Sequence, residues 1–164
     1  MRKQLYCDVD STLNNHWVRI AKWTSSKIIR PEAFTREEVM KDVPLSNARV
    51  GLQLLHTKYD IHILSARNWE GAYADTWDWL AQWELPFESI NIIPTAYDKP
   101  KFLKNKQCDL LIDDFSSGQE EVGSYKRHYV TVIIELQKMN IPILVFKHEN
   151  YWNEIIYMFN IGEI

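Results

Sequence analysis

Four carboxylates, a serine and a lysine fall at positions where a parallel sheet would gather them. Asp8 and Asp10 lie two apart in the run Asp8-Val9-Asp10-Ser11-Thr12-Leu13, and in extended backbone residues two apart project the same way. A second acidic pair, Asp113-Asp114, closes the apolar run LLIDD. Ser65 closes another, ILSAR, and Asp98-Lys99-Pro100-Lys101 opens a short helical stretch. Brought together, the carboxylates repel, so the cluster needs a cation or must hold protons. Hard oxygen ligands select Mg2+, which takes one or two carboxylates together with water and substrate phosphate. Lys99 or Lys101 would offset the remaining charge and grip a phosphate oxygen. Ser65 and the backbone N–H groups after it supply neutral donors. Cation, lysine and hydroxyl together make a phosphoryl-transfer site.

Singly, each residue has a plainer role. An Asp after a strand turns the chain or caps a helix. A lone Ser is a turn hydroxyl and a lone Lys a solvated charge. The weight lies in the joint pattern, each member standing at or before the end of an apolar run.

Those runs are residues 5–9, 60–64, 89–93, 109–112 and 141–146. They are short and continuous rather than alternating, as strands buried on both faces are. Helical spacing predicts helices over 48–56, 69–83, 130–139 and 151–159, with stripes of Val50, Leu54 and Leu55, of Tyr73, Trp77 and Leu80, and of Ile133, Ile134 and Leu136. The alternation predicts an α/β fold: a Rossmann-like parallel sheet of about five strands flanked by helices, with ligands at the carboxyl ends of the strands. Residues 14–45 exceed one crossover. Trp17, Ile20, Ala21 and Trp23 share a helix, and Thr35 with Glu38 resembles a capping box. The segment is read as a small helical cap inserted after the first strand, the plainer reading being a long surface crossover. Residues 1–164 then form one domain.

Composition sets the outer limits. Hydrophobic residues make up 46% of the 164, enough for a packed core rather than disorder. The net charge of -3 gives no basic surplus for long nucleic acids. The two cysteines, Cys7 and Cys108, lie in or beside apolar runs and read as buried thiols, with no disulfide or zinc pattern. No apolar stretch approaches the roughly 18 residues of a membrane span, and the N-terminal residues lack an apolar leader core. A cytoplasmic protein is expected. Seven Trp and eight Tyr suit a core and surface rich in aromatics, or a site that stacks on a ligand ring.

Taken in order, the motifs DVDSTL, Ser65 in ILSAR, Lys99-Pro100 and LLIDD resemble those of the haloacid dehalogenase-like (HAD) phosphatase superfamily. Within it, SARNWEGAYADTWDWL, the Asp98-Lys99 pair and DLLIDD are most similar to the 5′(3′)-deoxyribonucleotidases. Ser65 and Asn68 stand where that subfamily commonly has Thr and Pro, and Ser11-Thr12 where it has Gly-Val. The resemblance covers the chain from Leu5 to about Phe115 and is not matched beyond it.

The resemblance implies that Asp8 attacks phosphorus and forms an aspartyl-phosphate. It implies that Asp10 protonates the leaving oxygen and then activates water, which needs a raised pKa. Mg2+ would bind Asp8, the backbone carbonyl of Asp10, and Asp113 and Asp114, with Asp114 the more direct of the pair. Ser65, the Ala66 N–H and Lys99 would hold the phosphoryl oxygens, Lys101 being the alternative to Lys99. The first and fourth strands would lie side by side. The insert would screen the site, with Trp17, Phe34 and Trp69 as candidates to stack on a base or simply to pack within the cap. Asn14-Asn15-His16 is read as helix-capping. The implied partner is a small phosphate ester, a nucleoside monophosphate above all, with no membrane; oligomeric state stays open, a homodimer included. Competing readings are another small ester, a nucleic-acid end, a phospho-accepting signalling domain and a binding-only domain. In signalling domains the acidic pair follows the first strand and the acceptor ends the third, an order this chain does not have.

Overall fold

The apolar runs pair as strands in the computed structural model, which describes residues 2–116 and 128–164. In chain order the elements are β1 (Lys3–Cys7), α1 (Trp17–Lys22), β2 (Thr24–Ser25), β3 (Ile28–Ile29), a 3-10 turn (Pro31–Phe34), α2 (Arg36–Val39), α3 (Ala48–His56), β4 (Tyr59–Ala66), α4 (Ala72–Gln82), β5 (Ser89–Ile93), a second 3-10 turn (Ala96–Asp98), α5 (Lys99–Leu103), β6 (Leu110–Asp113), α6 (Val130–Lys138), β7 (Ile143–Val145) and α7 (Trp152–Asn160). The main sheet runs β5-β4-β1-β6-β7, every pairing parallel. β1 is central, with Cys7 level with Ile63 of β4 and Ile112 of β6. The chain beyond this level on all three strands therefore emerges at one edge, which gathers Asp8 and Asp113, the next residues on β1 and β6, and Ser65, two beyond Ile63 on β4.

Successive strand residues face opposite sides. Leu5, Cys7, Ile61, Ile63 and Ile112 pack under Leu52, Leu55, Trp79, Trp152 and Ile155 from α3, α4 and α7. Tyr6, Leu64 and Leu111 pack on the other side with Leu103 of α5 and Val132 and Leu136 of α6. Cys7 is buried, Cys108 half-buried, and both thiols are free. Gly51 of α3 lies against the Trp152 ring, where a Cβ would collide. That close approach lets Trp152 Nε1 donate to the Thr12 carbonyl at 2.8 Å, tying α7 to the loop after β1.

Several boundaries and faces differ from expectation. β1 ends at Cys7, because the Asp8 N–H makes one more bond to the Ile112 carbonyl at 3.0 Å and the Val9 carbonyl then accepts the N–H groups of Thr12, Leu13 and Asn14. The helical faces are offset. α4 buries Ala72, Asp75, Thr76, Trp79 and Leu80 and turns Tyr73 and Trp77 outward; α3 buries Leu52 and Leu55 and exposes Val50; α6 buries Val132 and Leu136 and exposes Ile134. Aromatic residues count as apolar in a periodicity, but both flanks of such a helix can satisfy it.

Residues 17–39 are not wholly helical. They contain α1, α2 and an antiparallel hairpin, β2–β3. The Thr35–Glu38 capping box does not form. Thr35 Oγ1 donates to the Glu32 carbonyl at 3.0 Å, and Lys22, Trp23 and Lys41 all donate to the Glu38 carboxylate. Two cations and an indole outcompete one backbone N–H. The reciprocal box forms instead between Thr95 and Asp98, at the turn leading to Lys99. Among the described residues no helix is long and apolar enough to cross a membrane.

Candidate active site

The site is built from strand ends. Asp8 follows β1, Ser65 nears the end of β4, Asp113 ends β6, and Lys99 opens α5. Lys99 Nζ donates to Asp8 Oδ1 at 3.2 Å and to Asp113 Oδ2, and all three side chains are buried. The other Asp113 oxygen accepts the Phe115 N–H at 2.7 Å. Thr12 pins Asp114 from both sides: its hydroxyl donates to Asp114 Oδ1 at 3.2 Å and accepts the Asp114 N–H at 3.1 Å. One oxygen from each of Asp8, Asp113 and Asp114 lies within 4.8 Å of the others.

Three buried carboxylates facing one ammonium leave an excess of negative charge. Burial pushes the Asp8 carboxyl up to about 7, with Lys99 pulling it down and Asp113 and Asp10 pushing it further up. Burial, then Asp8 and Asp113, raise Asp114 well above the carboxylate range. Burial disfavours the Lys99 charge, but Asp113 and Asp8 outweigh it and hold the ammonium above its ordinary range. Such a cluster keeps protons or takes a cation. Three hard oxygens this close, with phosphate-sized space beside them, fit Mg2+.

Asp10 is held by a different set of partners. Arg67 grips its carboxylate with two parallel bonds, Nε to Oδ2 at 2.9 Å and Nη2 to Oδ1 at 2.8 Å. Asn14 Nδ2 donates to Asp10 Oδ1 at 3.1 Å, and Arg19 Nη2 approaches it at 3.8 Å. The network continues: Arg19 Nε and Nη2 and Asn14 Nδ2 all donate to Asp42. Arg67 Nη1 donates to Thr76 Oγ1 at 2.8 Å, which locks the guanidinium. Burial alone would raise the Asp10 pKa, but Arg67, His16 and Arg19 outweigh it and hold the carboxyl well below the usual range. The expectation of a raised Asp10 pKa is therefore corrected: a bidentate arginine outweighs desolvation. The Asp10 side chain also lies outside the three-carboxylate cluster.

A pocket of about 420 Å³ opens on these groups, and Asp8, Asp10, Ser65, Ala66, Lys99, Asp113 and Asp114 all line it. Lys101 is exposed and is not on its wall. Ile29 of the β2–β3 hairpin brings the insert to the rim. One buried hydroxyl on the wall, Ser65 Oγ, has no hydrogen-bond partner among the described residues, and Ser116 Oγ has only an interaction with the Asp114 carboxylate. Buried polar atoms are nearly always satisfied, so hydroxyls left over at a pocket wall are donors for a ligand.

Other residues are placed differently. Trp17 packs in the core, and Phe34 and Trp69 lie against each other, tilted by 35° with centroids 5.4 Å apart, with Trp69 Nε1 bonded to Asp75. None of the three lines the pocket; its aromatics are Tyr97, Phe115 and Tyr129. The helix-capping reading of Asn14-Asn15-His16 is corrected: His16 at the start of α1 makes no side-chain cap, and Asn14 instead accepts the Ser11 N–H at 3.1 Å and joins Asp10 to Asp42. Thr12 stands within DVDSTL, whereas Arg67, Arg19, Asp42 and Ser116 carry no marked signal in the sequence. Arg67 had the best one, standing two residues after Ser65 in ILSAR.

No protein-family model matches the chain, and no curated protein matches it in sequence. Solved structures do resemble it. One chain of the Pnkp1/Rnl/Hen1 RNA repair complex is 17% identical over 89% of this chain, with a TM-score of 0.57. A haloacid dehalogenase-like family hydrolase from Streptococcus pneumoniae is 13% identical over 88% of this chain and 84% of its own, with a TM-score of 0.56. A HAD-superfamily hydrolase of subfamily IA from Geobacter sulfurreducens is 12% identical over 94% of this chain and 100% of its own, with a TM-score of 0.57. The chain spans only 42% of the repair-complex chain. At these identities the likeness is one of fold: the five-stranded parallel sheet flanked by helices is the fold of HAD-superfamily hydrolases.

Proposed function

We propose that the protein is a Mg2+-dependent phosphomonoester hydrolase working through an aspartyl-phosphate on Asp8, with a nucleoside monophosphate as substrate. One observation carries this reading: a buried Asp8, a lysine, two further carboxylates and an unpartnered serine hydroxyl converge on one wall of a pocket. The HAD-type fold supports it, and so does the order of the motifs along the chain.

An Asp8 oxygen attacks phosphorus while the bond to the leaving oxygen breaks and that oxygen takes a proton. Water then attacks the acyl phosphate, freeing phosphate and restoring Asp8. Ser65, the Ala66 N–H and Lys99 hold the phosphoryl oxygens. Asp8, Asp113, Asp114 and the Asp10 carbonyl would hold Mg2+, which supplies charge neutralisation at the phosphoryl group. As folded, the ionised Asp10 suits the second half-reaction, where a base takes a proton from water. Donating a proton in the first half-reaction requires the Arg67 clamp to loosen when substrate enters.

The test is phosphate release from deoxynucleotides, ribonucleotides and sugar phosphates, with Mg2+ or with chelator, beside Asp8→Asn. Release that needs Mg2+ and vanishes in Asp8→Asn supports the mechanism, and a preference for nucleotides supports the substrate. A wild type that hydrolyses no ester sinks the reading. A second reading, a phosphate at a nucleic-acid end, is favoured by the likeness to the RNA repair complex chain, and phosphorylated oligonucleotides belong in the same panel.

A further inference from the structure

Beyond the phosphate site, the geometry points to a leaving-group subsite made by Tyr97, Tyr129 and Ser116, with the two tyrosines receiving a planar ring and the serine hydroxyl bonding to the leaving group. The inference rests on the proposed phosphatase reading and adds the residues that select the ester.

All three residues line the pocket, Tyr97 from the turn after β5, Ser116 from the loop after β6 and Tyr129 from the start of α6. Tyr97 is 62% exposed, as is Tyr157 on α7 at 64%, but of the two only Tyr97 lines the pocket. An isolated exposed ring would need no explanation, but this one is held in place. It sits at the centre of the turn Ala96–Asp98, which the Thr95–Asp98 capping box fixes: the Thr95 N–H and hydroxyl donate to Asp98 Oδ2 at 3.0 and 2.8 Å. Tyr129 meets Tyr97 edge-on, centroids 5.2 Å apart and planes at 78°. The Tyr129 N–H donates to the Phe115 carbonyl at 2.9 Å, which ties that ring to the acidic loop. Two rings on anchored backbone thus form a corner that exposes an aromatic face beside the phosphate site. Base–aromatic stacking needs such a rigid face and little else.

Ser116 is the independent observation. It is 3% exposed, its N–H is spent on Asp114 Oδ2 at 3.1 Å, and its hydroxyl makes no full hydrogen bond among the described residues, only an interaction with the Asp114 carboxylate that draws that carboxyl's pKa down. It follows the acidic pair and bridges to His128, the neighbour of Tyr129, whereas Ser65 comes from β4. Ser65 is thereby placed for the phosphoryl group and Ser116 for what the phosphoryl group is attached to.

The experiment compares thymidine 5′-monophosphate with deoxyribose 5-phosphate, which has the same sugar ester without the base. Rates are measured for wild type, Tyr97→Ala and Ser116→Ala, with inorganic phosphate as inhibitor; thermal melts check that each variant folds. Tyr97→Ala is expected to lower kcat/KM for the nucleotide about tenfold and to leave the ringless ester within about twofold. Ser116→Ala is expected to raise KM about fivefold for the nucleotide with phosphate inhibition unchanged. Equal losses on both esters in Tyr97→Ala, or weakened phosphate inhibition in Ser116→Ala, overturn the subsite. Binding of thymidine 5′-monophosphate by calorimetry separates the two readings. If wild type hydrolyses nothing yet binds it, and Tyr97→Ala loses that binding, the subsite stands and the phosphatase reading falls. If wild type neither hydrolyses nor binds it, the subsite falls as well.

Discussion

Lys99→Met removes the positive charge between Asp8 and Asp113 while keeping most of the side-chain volume. Lys99, Asp8 and Asp113 are respectively 3%, 6% and 1% exposed, so water screens little of the effect. Deleting one partner of a buried pair costs about 3–5 kcal/mol, because the charge left behind is uncompensated. Part of that cost is relieved by protonation. Asp8 titrates at about 7 with the lysine present, and without it the pKa moves higher still. At pH 5 the variant's carboxylates take up protons, and at pH 8 more of the penalty remains. The expected loss is thus about 3 kcal/mol at pH 8 and distinctly less at pH 5. Urea denaturation at both pH values, with and without Mg2+, measures it; Mg2+ should recover part of the loss by replacing the missing charge. Turnover should fall about a hundredfold or more, the usual cost of one charge-stabilising donor. Lys101→Met is the control: exposed and off the pocket wall, it should shift stability by no more than about 0.5 kcal/mol and leave turnover intact. A Lys99→Met protein as stable as wild type at pH 8, or an activity loss carried by Lys101→Met, refutes the reasoning.

Other perturbations probe the same wiring. Because the folded Asp8 pKa is raised to about 7 from an ordinary 3.8, its share of stability is present at low pH and lost as pH rises between those values; the melting shift on adding Mg2+ should be near zero at pH 5, grow by pH 8 and shrink in Asp8→Asn, and a shift independent of pH would count against the metal site. Arg67→Met frees Asp10 from its clamp, so the Asp10 pKa rises, the acid limb of kcat, where Asp10 must be ionised to take a proton from water, moves to higher pH, and stability drops by about 3 kcal/mol; an unmoved acid limb would show that Asp10 does not govern it. Gly51→Ala puts a methyl into the Trp152 ring and should cost about 1–3 kcal/mol with a shift in tryptophan fluorescence, whereas a silent substitution would mean that α3 and α7 are not packed as described.

Much of the fold is legible because strand and helix signals are local. Five continuous apolar runs and the segments between them give the sheet and its flanking helices within a few residues. The sidedness of α4 is less legible, since Tyr73 and Trp77 satisfy an apolar stripe as well as Trp79 and Leu80 do, and only the neighbouring β5 and α2 decide which side is covered. Thr35 and Glu38 have the spacing of a capping box, but Lys22, Trp23 and Lys41 converge on Glu38 from outside that window.

For the site, the sequence by itself determined which residues stand at the ends of strands: Asp8, Asp10, Ser65, Asp113 and Asp114 follow apolar runs, and Lys99 opens a helix. Parallel strands deliver their ends to one edge, so their identity could be read before their positions were known. Tertiary structure alone decided what each of them faces. Asp10 was expected to hold a proton, yet Arg67, 57 residues further along, makes it a held carboxylate. Arg19 and Asp42 join that network across 23 residues. Tyr97, Tyr129 and Ser116 reach the pocket from separate loops. Charge pairing, burial and the pocket wall depend on distances in space that spacing along the chain does not encode, and these distances set the protonation state of the acid and the shape offered to the leaving group.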